Sequence, residues 1–550
     1  DRIEAVRAMM RSKGWDVVIV TGNDPHNSEY SAARWHQVAW LSGYTGEGDL
    51  VITEDRAGLW TDTRYFIQAS QQLPAAGVEL HKTRVLGQVL IPEWLAGHFA
   101  DCDEVRVAVD GLCMTVSSVE DIQKTVGEKI RFVNAPDMLE VLWTDRPEIP
   151  QTPIITLGPE QVGWSRVQKV RWIRKWLTDK GYDAILLTAL DEIAWMLNVR
   201  GQDVAYNPVV MSYLLVTQDN VLWFARKGEI PDDDGETEDS FRELLADGVN
   251  IQEYSDVEAA LSNLVDGNYI KALFVDPATL NFSLFSILNS RYVIMGTSPV
   301  GLRKSVKNEV EIAGMREAHL EDGVAMERFL HWLQTSVEAG DAVNEYEASR
   351  KLCDSGGQYL FGTTDITRTV PLGPCSQLEK EDYTLVLKGH IALAKAVFPK
   401  GTAGCQLDVL AREPLWSAKR NFGHGTGHGV GFYLNVHEGP QDIRQNFNRQ
   451  ALIPGMITSD EPGIYREGKF GIRHENLILC VDAGENDFGH WQRFETLTLC
   501  HFDTSILVKD LLDRSEIDWL NAYNEHVYRT LSPRLTPEVA SWLRQKTLPI

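Results

Sequence analysis

The same short pattern occurs twice in this sequence, and that repeat limits the possible folds more than any other feature. The segments KGWD at 13–16 and KGYD at 180–183 each precede an apolar run of about five residues. A helix-like segment comes before each copy, at 2–11 and 167–178. Because a helix, a glycine turn and a buried strand form an αβ unit, the repeat predicts two similar α/β domains in tandem. Chance similarity of two common αβ units is the alternative.

Two further features predict where the domains end. The stretch RPEIPQTP at 146–153 cannot continue a helix or a central strand, and the chain changes character again near Pro299. After Pro299, residues 308–334 carry apolar side chains at helical spacing, which predicts a long amphipathic helix. We therefore predict domains at 1–146, 147–302 and 303–550, and three domains agree with the three or four expected for 550 residues at ~100–200 residues each.

Charge and cysteine usage exclude several classes of protein. The chain has 53 Lys and Arg against 78 Asp and Glu, a net charge of −25, which argues against nucleic-acid binding through bulk charge. No run approaches the ~18 apolar residues of a membrane span. Seven scattered cysteines without a CxxC pair predict neither a disulfide framework nor a thiolate zinc site, so we expect a cytoplasmic protein. The acidic run Asp232–Asp234 is interpreted as a solvated loop.

Polar residues that could carry chemistry are concentrated between 354 and 475. The first group, DSGGQY at 354–359 and GTTDITRT at 362–369, predicts two strands joined by a glycine-containing turn. Such a turn would bring Asp354 and Asp365 together. Taken alone, an Asp beside Gly is more often only turn chemistry, and that alternative stays open for this group.

The second group is HGTGHGVG at 424–431, followed by NVHEGP at 435–440. Glycine at alternate positions allows the backbone to pass close to other groups, and three of the 14 histidines lie between 424 and 437. This interleaved cluster of His424, His428 and His437 favours a functional site over a purely structural role.

Two more carboxylates complete the pattern. Pro462 pushes Glu461 into an extended conformation, so its carboxylate is predicted to project from a strand. Glu475 lies within the apolar segment 472–479, predicted as one strand, where an unpaired carboxylate would be costly to bury unless a cation offsets its charge.

Together these groups form a set of hard ligands for metal ions: Asp354, Asp365, His428, Glu461 and Glu475. Four carboxylates and one imidazole suit two divalent ions such as Mn²⁺, Co²⁺ or Zn²⁺. Two such ions about 3.5–4 Å apart provide the equipment for hydrolysis, and neutral histidines nearby could stabilise an oxyanion or transfer protons.

The motifs that carry these residues resemble those of the three-domain Xaa-Pro aminopeptidases (aminopeptidase P), which belong to the pita-bread metallopeptidases. Segments matching the family extend over nearly the whole chain, including DPHNSEY at 24–30, LWTDTRYF at 59–66, IAWMLNVRG at 193–201, DEPGIY at 460–465 and GIRHEN at 471–476. The resemblance implies an α/β (α+β) chain with two creatinase-like N-terminal domains and a pita-bread catalytic domain.

The resemblance also implies a reaction and a role for each site residue. The reaction is removal of the N-terminal residue from peptides with proline in the second position, by a centre of two metals, usually manganese. Asp354, Asp365, His428, Glu461 and Glu475 would be the ligands, and Glu461 would also be the general base toward a metal-bridging hydroxide. His424 and His437 would hold the substrate and stabilise the tetrahedral intermediate, with Arg473 in support. A homodimer is expected by analogy.

The chain departs from the family pattern at one place. Relatives have several tens of residues, including a further active-site histidine, between the helix matching 345–352 and the Asp-Ser-Gly strand, whereas here Leu352 is followed directly by Cys353 and Asp354. Connections between elements usually take about 2–6 residues. We therefore hypothesise that the sequence omits a loop at this junction.

Two other functions remain as alternatives. A prolidase-type dipeptidase is a close enzymatic relative, but such enzymes usually have one N-terminal domain, and the repeat argues against it. An inactive pita-bread binding module is the second alternative, although such proteins typically lose ligands that are all present here.

Overall fold

The computed structural model describes residues 2–226, 239–267, 270–288, 292–352 and 357–550. The predicted loop Asp232–Asp234, the ligand candidate Asp354 and the junction at Cys353 lie outside these residues. The chain forms two compact units, 1–157 with 164–300 and 158–163 with 301–550. Within the described ranges, we find no helix that combines the length and the apolar character needed to cross a membrane.

The first unit contains both predicted repeats. The first repeat has strands β1 (Val17–Val20), β2 (Asp49–Thr53), β3 (Ala57–Thr61), β4 (Glu79–Lys82), β5 (Val105–Val109) and β6 (Ile130–Asn134). Its helices are α1 (Arg2–Lys13), α2 (Gln37–Ser42), α3 (Phe66–Gln72), α4 (Ile91–His98) and α5 (Val116–Val126). The strand order in its single sheet is β4-β3-β2-β1-β5-β6.

The second repeat follows the same plan. The strands between residues 155 and 295 are β7 (Ile155–Thr156), β8 (Ala184–Leu187), β9 (Val199–Arg200), β10 (Ser212–Thr217), β11 (Val221–Ala225), β12 (Asn250–Glu253), β13 (Leu273–Val275) and β14 (Val293–Met295). The helices are α6 (Pro159–Val162, in the second unit), α7 (Arg166–Lys180), α8 (Leu190–Leu197), α9 (Asp239–Ala246), α10 (Val257–Asp266), α11 (Phe282–Ile287) and α12 (Pro299–Ser305). The sheet order is β12-β11-β10-β8-β13-β14, and β7 pairs with β9 separately.

The two sheets have the same topology, which confirms the prediction of two similar α/β domains. In each repeat the strand after the glycine turn is central. β1 is antiparallel to β2 and parallel to β5, and β8 is likewise antiparallel to β10 and parallel to β13. Gly14 and Gly181 have φ of 66° and 73°, a left-handed conformation that ends the preceding helix at low cost. The central strands β1 and β8 are buried along their whole length. The exact domain boundaries stay a prediction.

The second unit combines antiparallel strands with long helices. Its strands are β15 (Gln358–Tyr359), β16 (Gly362–Thr363), β17 (Val397–Pro399), β18 (Gly427–Gly429), β19 (Glu438–Ile443), β20 (Ile457–Asp460), β21 (Gly463–Arg466), β22 (Phe470–Arg473), β23 (Asn476–Asn486) and β24 (Gly489–Thr496). Its helices are α13 (Glu309–Glu338), α14 (Glu345–Leu352), α15 (Gln377–Ala394), α16 (Gly404–Ser417), α17 (Arg514–Leu531) and α18 (Pro537–Lys546). The main sheet has the order β17-β24-β23-β20-β18-β19.

Several local predictions can be compared with this unit. The helix predicted over 308–334 is α13, which begins after the capping residue Asn308 and runs about one turn further than expected. The strand pair predicted for the first polar group is the hairpin of β15 and β16. The single strand predicted over 472–479 is wrong: β22 ends at Arg473 and β23 begins at Asn476. At this point the chain leaves the β21–β22 hairpin and enters the main sheet, and Glu475 pairs with Thr367 instead.

Candidate metal centre

Two carboxylates leave the main sheet side by side. Glu461 directly follows the last residue of β20, and Glu475 directly precedes the first residue of β23. Those end residues, Asp460 and Asn476, are opposite each other in the antiparallel ladder. Because side chains alternate between the faces of a sheet, Glu461 and Glu475 both project to the face opposite Asp460 and Asn476.

His428 points its free ring nitrogen at the carboxylates. Its Nε2 lies 3.3 Å from Asp365 Oδ2 and 3.3 Å from Glu461 Oε1. Its Nδ1 lies 2.9 Å from the carbonyl oxygen of Gly429, which can only accept, so Nδ1 carries the hydrogen of the neutral ring. Once Nε2 has lost its proton, its lone pair faces the acidic groups, an arrangement typical of a histidine that binds a metal.

The glycines of the histidine-rich motif are required by close packing. A Cβ on Gly427 would lie 1.9 Å from the carbonyl oxygen of Ser459, and one on Gly429 would lie 2.1 Å from that of Glu438. The strand that carries His428 can pass between β19 and β20 only because these positions lack side chains. The motif thus has a steric cause as well as a chemical one.

The electrostatics of the cluster call for a cation. Burial raises the pKa of Glu475 well above its usual range, and the neighbouring carboxylates of Asp365 and Glu461 raise it further. Burial by itself would lower the pKa of His428, but Asp365 and Glu461 outweigh it and raise that pKa to about 10. Three carboxylates that converge on one imidazole are thus held together at an electrostatic cost that a divalent ion offsets.

The donor atoms are close enough to share metal ions. Ligand atoms of His428, Glu461 and Glu475 lie within 4.8 Å of one another, and so do those of Asp365, His428 and His437. Oxygen-rich donors with one or two imidazoles fit hard or borderline divalent cations. The structure therefore brings together four of the five predicted ligands, while Asp354 lies outside the described residues. Their role as ligands stays a prediction.

The other predicted site residues surround this cluster. The ring of His437 lies 4.2 Å from that of His428, centroid to centroid, at nearly a right angle. Arg473 Nε donates to Thr367 Oγ1 at 2.8 Å and lies 3.8 Å from Glu475 Oε2. Thr367 Oγ1 in turn donates to Glu475 Oε2 at 2.6 Å. Arg473 and Thr367 thus hold one side of the Glu475 carboxylate.

His424 makes a contact that sequence reasoning missed. Its Nδ1 lies 2.7 Å from the carbonyl oxygen of Gly425, and its Nε2 lies 2.8 Å from the hydroxyl of Tyr465. Burial lowers the pKa of His424, so the ring is neutral at pH 7 with its hydrogen on Nδ1, and Tyr465 donates to Nε2. Tyr465 belongs to the motif DEPGIY, but only the tertiary structure shows that its hydroxyl bonds to His424.

Comparison with known proteins supports the same interpretation. The description "Creatinase/Prolidase N-terminal domain" matches residues 2–142 and again 145–311. "Metallopeptidase family M24" matches 351–482, and "C-terminal region of peptidase_M24" matches 490–550. The M24 match includes Asp365, His428, Glu461 and Glu475. These matches and the mixed helix and strand content confirm the predicted fold class.

Full-length relatives narrow the family further. The chain is 34% identical to "Aminopeptidase P1" of Arabidopsis thaliana, over 100% of this chain and 99% of the relative. It is also 34% identical to a "Probable Xaa-Pro aminopeptidase P" of Neurospora crassa, over 100% and 89%. A solved X-prolyl aminopeptidase from Caenorhabditis elegans, described as a cytosolic enzyme with a di-nuclear active site, matches with a TM-score of 0.91 and 31% identity, over 98% and 95%. Since this likeness extends along the entire chain and includes the acidic cluster, the protein belongs to the aminopeptidase P family of M24 metallopeptidases.

Proposed function

We propose that this protein is a metal-dependent Xaa-Pro aminopeptidase, which hydrolyses the bond between an N-terminal residue and a following proline. The observation that carries the proposal is the His428 Nε2 atom facing Asp365 and Glu461, in a chain whose full-length relatives bear the name aminopeptidase P. The repeated N-terminal domains favour this activity over that of a prolidase-type dipeptidase.

The donor set supports a centre of two divalent cations, and we propose Mn²⁺ as their identity, with Co²⁺ or Zn²⁺ as substitutes. The ligands would be Asp354, Asp365, His428, Glu461 and Glu475. When bound, the two ions supply a polarised carbonyl group and a water molecule of lowered pKa.

In this proposal Glu461 moves a proton. Its main-chain N–H donates to the carbonyl oxygen of Thr426 at 2.8 Å, and its Oε1 accepts from Ser459 Oγ at 3.2 Å, so both backbone and carboxylate are held. In the proposed role the carboxylate accepts a proton from the attacking water and passes it to the departing nitrogen of proline. That nitrogen needs a proton because it leaves as an amine.

The neighbouring residues hold the substrate and stabilise charge. We propose that His437, beside His428, and His424 stabilise the tetrahedral oxyanion, with Arg473 supporting the Glu475 carboxylate through Thr367. Because neutral His424 accepts from Tyr465, it donates from Nε2 only after gaining a proton. Tyr465 is 49% exposed and therefore open to substrate.

Three further properties belong to the same proposal. By analogy with the family, we propose a cytoplasmic homodimer whose partners are peptides with proline in the second position, without nucleic-acid or membrane binding. The cytosolic description of the Caenorhabditis elegans enzyme supports the location. We also propose domains at 1–146, 147–302 and 303–550, supported by sheets that lie within 17–134 and 184–295.

The test is mass spectrometry of a peptide beginning Arg-Pro-Pro after incubation with the Mn²⁺-loaded protein. We expect loss of the N-terminal Arg alone, and a rate about 10²–10⁴-fold lower in Glu461→Gln. Glu467→Gln, an exposed change in the nearby β21–β22 turn, is the matched control and should be as active as the wild type. Cleavage of an Ala-Pro dipeptide in place of the longer peptide would indicate a dipeptidase. An intact peptide, an intact dipeptide and no bound metal would indicate a binding module.

A further inference from the structure

We propose that Arg368, Asn476, His390 and Asp460 form a chain of positioning residues that sets the spacing of three metal ligands. This positioning chain, named here for the four residues, lies behind the carboxylates of Asp365, Glu461 and Glu475. The inference rests on the proposed function, because it concerns how that metal centre is held.

The first step follows from the register of the sheet. Asp460 and Asn476 are paired across β20 and β23, and each is the immediate neighbour of a ligand candidate. Both side chains are fully buried and lie on the face of the sheet opposite Glu461 and Glu475. Whatever fixes Asp460 relative to Asn476 on this face therefore fixes Glu461 relative to Glu475 on the other.

His390, a fully buried residue of α15, connects these two positions. Its Nε2 lies 3.1 Å from Asn476 Nδ2, which can only donate, so Nε2 accepts. Its Nδ1 then carries the hydrogen and donates to the main-chain oxygen of Asp460 at 3.1 Å, with Asp460 Oδ2 at 3.2 Å. One imidazole thus bridges the ends of both ligand-bearing strands in a single tautomer.

Arg368 extends the chain to the third ligand segment. Its Nη2 donates to Asn476 Oδ1 at 2.7 Å, and its Nη1 donates to the main-chain oxygen of Glu475 at 2.7 Å. Arg368 is three residues after Asp365, and the intervening Thr367 forms a β-bridge with Glu475. Hydrogen bonds of the positioning chain therefore connect the segments of Asp365, Glu475 and Glu461, and these bonds use the main chain of Glu475 and not its carboxylate.

The positioning chain can hold the metal ligands at a fixed spacing. Three converging carboxylates repel one another, so side-chain contacts must hold them at the spacing that cations require. Groups that orient metal ligands from behind typically change metal affinity by about 10–100-fold when they are removed. We therefore expect the positioning chain to act on metal affinity, through the geometry of the ligands, more than on the stability of the fold.

The experiment compares two buried asparagines. Asn476→Leu removes the central member of the chain, while Arg368 Nη2 keeps its bonds to Cys500 O and Tyr523 OH. Asn524→Leu is the matched control, since Asn524 also makes two buried hydrogen bonds in this unit, both to the main chain of Phe502. Calorimetric titration of the metal-free proteins with Mn²⁺ and the absorption spectrum of the Co²⁺-loaded proteins are the readouts, with thermal melting of the metal-free proteins alongside.

We expect Asn476→Leu to bind Mn²⁺ about 10–100-fold more weakly and to show an altered Co²⁺ spectrum. Asn524→Leu should lower the melting temperature but keep the metal affinity within about threefold of the wild type. Equal Mn²⁺ affinities for the wild type and Asn476→Leu would overturn the inference and leave the proposed function standing. A wild type that binds neither Mn²⁺ nor Co²⁺ would overturn the proposed function itself.

A second variant makes the test independent of one substitution. His390→Phe keeps the ring packing against Phe502 and Trp519 and removes both hydrogen bonds. It should weaken Mn²⁺ binding to a similar degree. Because His390 and Asn476 belong to the same positioning chain, the double variant should bind Mn²⁺ only slightly more weakly than the weaker-binding single variant. Fully additive losses of Mn²⁺ affinity would contradict a shared path.

Discussion

Replacing Arg412 by methionine should destabilise the second unit and loosen the loop that carries His424. Arg412 is 1% exposed and lies on α16, where its Nε donates to Asp408 Oδ2 at 2.7 Å. Its Nη1 and Nη2 donate to the carbonyl oxygens of Phe422 and His424 at 2.8 and 2.7 Å. The guanidinium also lies over the Phe422 ring, 3.8 Å from its centroid.

The size of the effect follows from these contacts. Methionine keeps most of the apolar stem, so the loss comes mainly from the charge and its hydrogen bonds. The Asp408 carboxylate, 3% exposed, would stay buried without its cation. Breaking a buried ion pair from one side costs about 3–5 kcal/mol. For a unit of this size that corresponds to a melting temperature lower by roughly 6–20 °C.

Scanning calorimetry and peptide cleavage measure the two consequences. Asp408→Asn in the same chain removes the orphaned charge, so the double variant should melt at a higher temperature than Arg412→Met alone. Arg529→Met, which breaks an exposed pair with Glu525, is the matched control and should cost less than about 1 kcal/mol. Arg412→Met should also lower kcat/KM, because His424 loses the anchor of its main chain. A melting temperature unchanged by Arg412→Met, or lower still in the double variant, would refute this reasoning.

Three further outcomes are expected. Burial lowers the pKa of Lys307 to about 8 from 10.5, so between these pH values the unfolded chain binds more protons than the folded protein. The stability of the wild type should therefore rise with pH in this range. Thermal melts at pH 8, 9 and 10 should show a smaller rise in Lys307→Met. Burial and the neighbouring carboxylates make Glu475 costly to ionise, so calorimetry should find the metal-free Glu475→Gln variant at least as stable as the wild type, yet less stabilised by Mn²⁺. Tyr465→Phe loses the hydrogen bond to His424 and should lower kcat several-fold in peptide cleavage with little change in melting temperature; an unchanged kcat would separate Tyr465 from the reaction.

Local patterns in the sequence were sufficient to predict the two α/β domains of the first unit and to propose a set of metal ligands. The glycine turns at 14 and 181 end helices in the same way, and the apolar runs after them are central strands of equivalent sheets. Pro462 likewise restricts the conformation of its neighbour Glu461, and the alternating glycines around His428 predict that the backbone passes close to other groups. Periodicity and turn chemistry act over a few residues, which is why such features can be predicted without a structure, whereas the carbonyl groups that Gly427 and Gly429 pack against lie on other strands.

Only the tertiary structure decided which of those groups meet. Thr367 and Glu475 are 108 residues apart in the chain, and His390 and Asp460 are 70 apart, so no local pattern connects them. The break before β23 was missed because the apolar residues at both ends of segment 472–479 suggested one strand, whereas Glu475 pairs with the distant Thr367. A strand pattern specifies which residues alternate between two faces, but the partner on each face depends on packing among distant segments. For this protein, the residue types that are predicted to bind metal could be identified in the sequence, whereas their spacing is a property of the folded sheet and of the helix behind it.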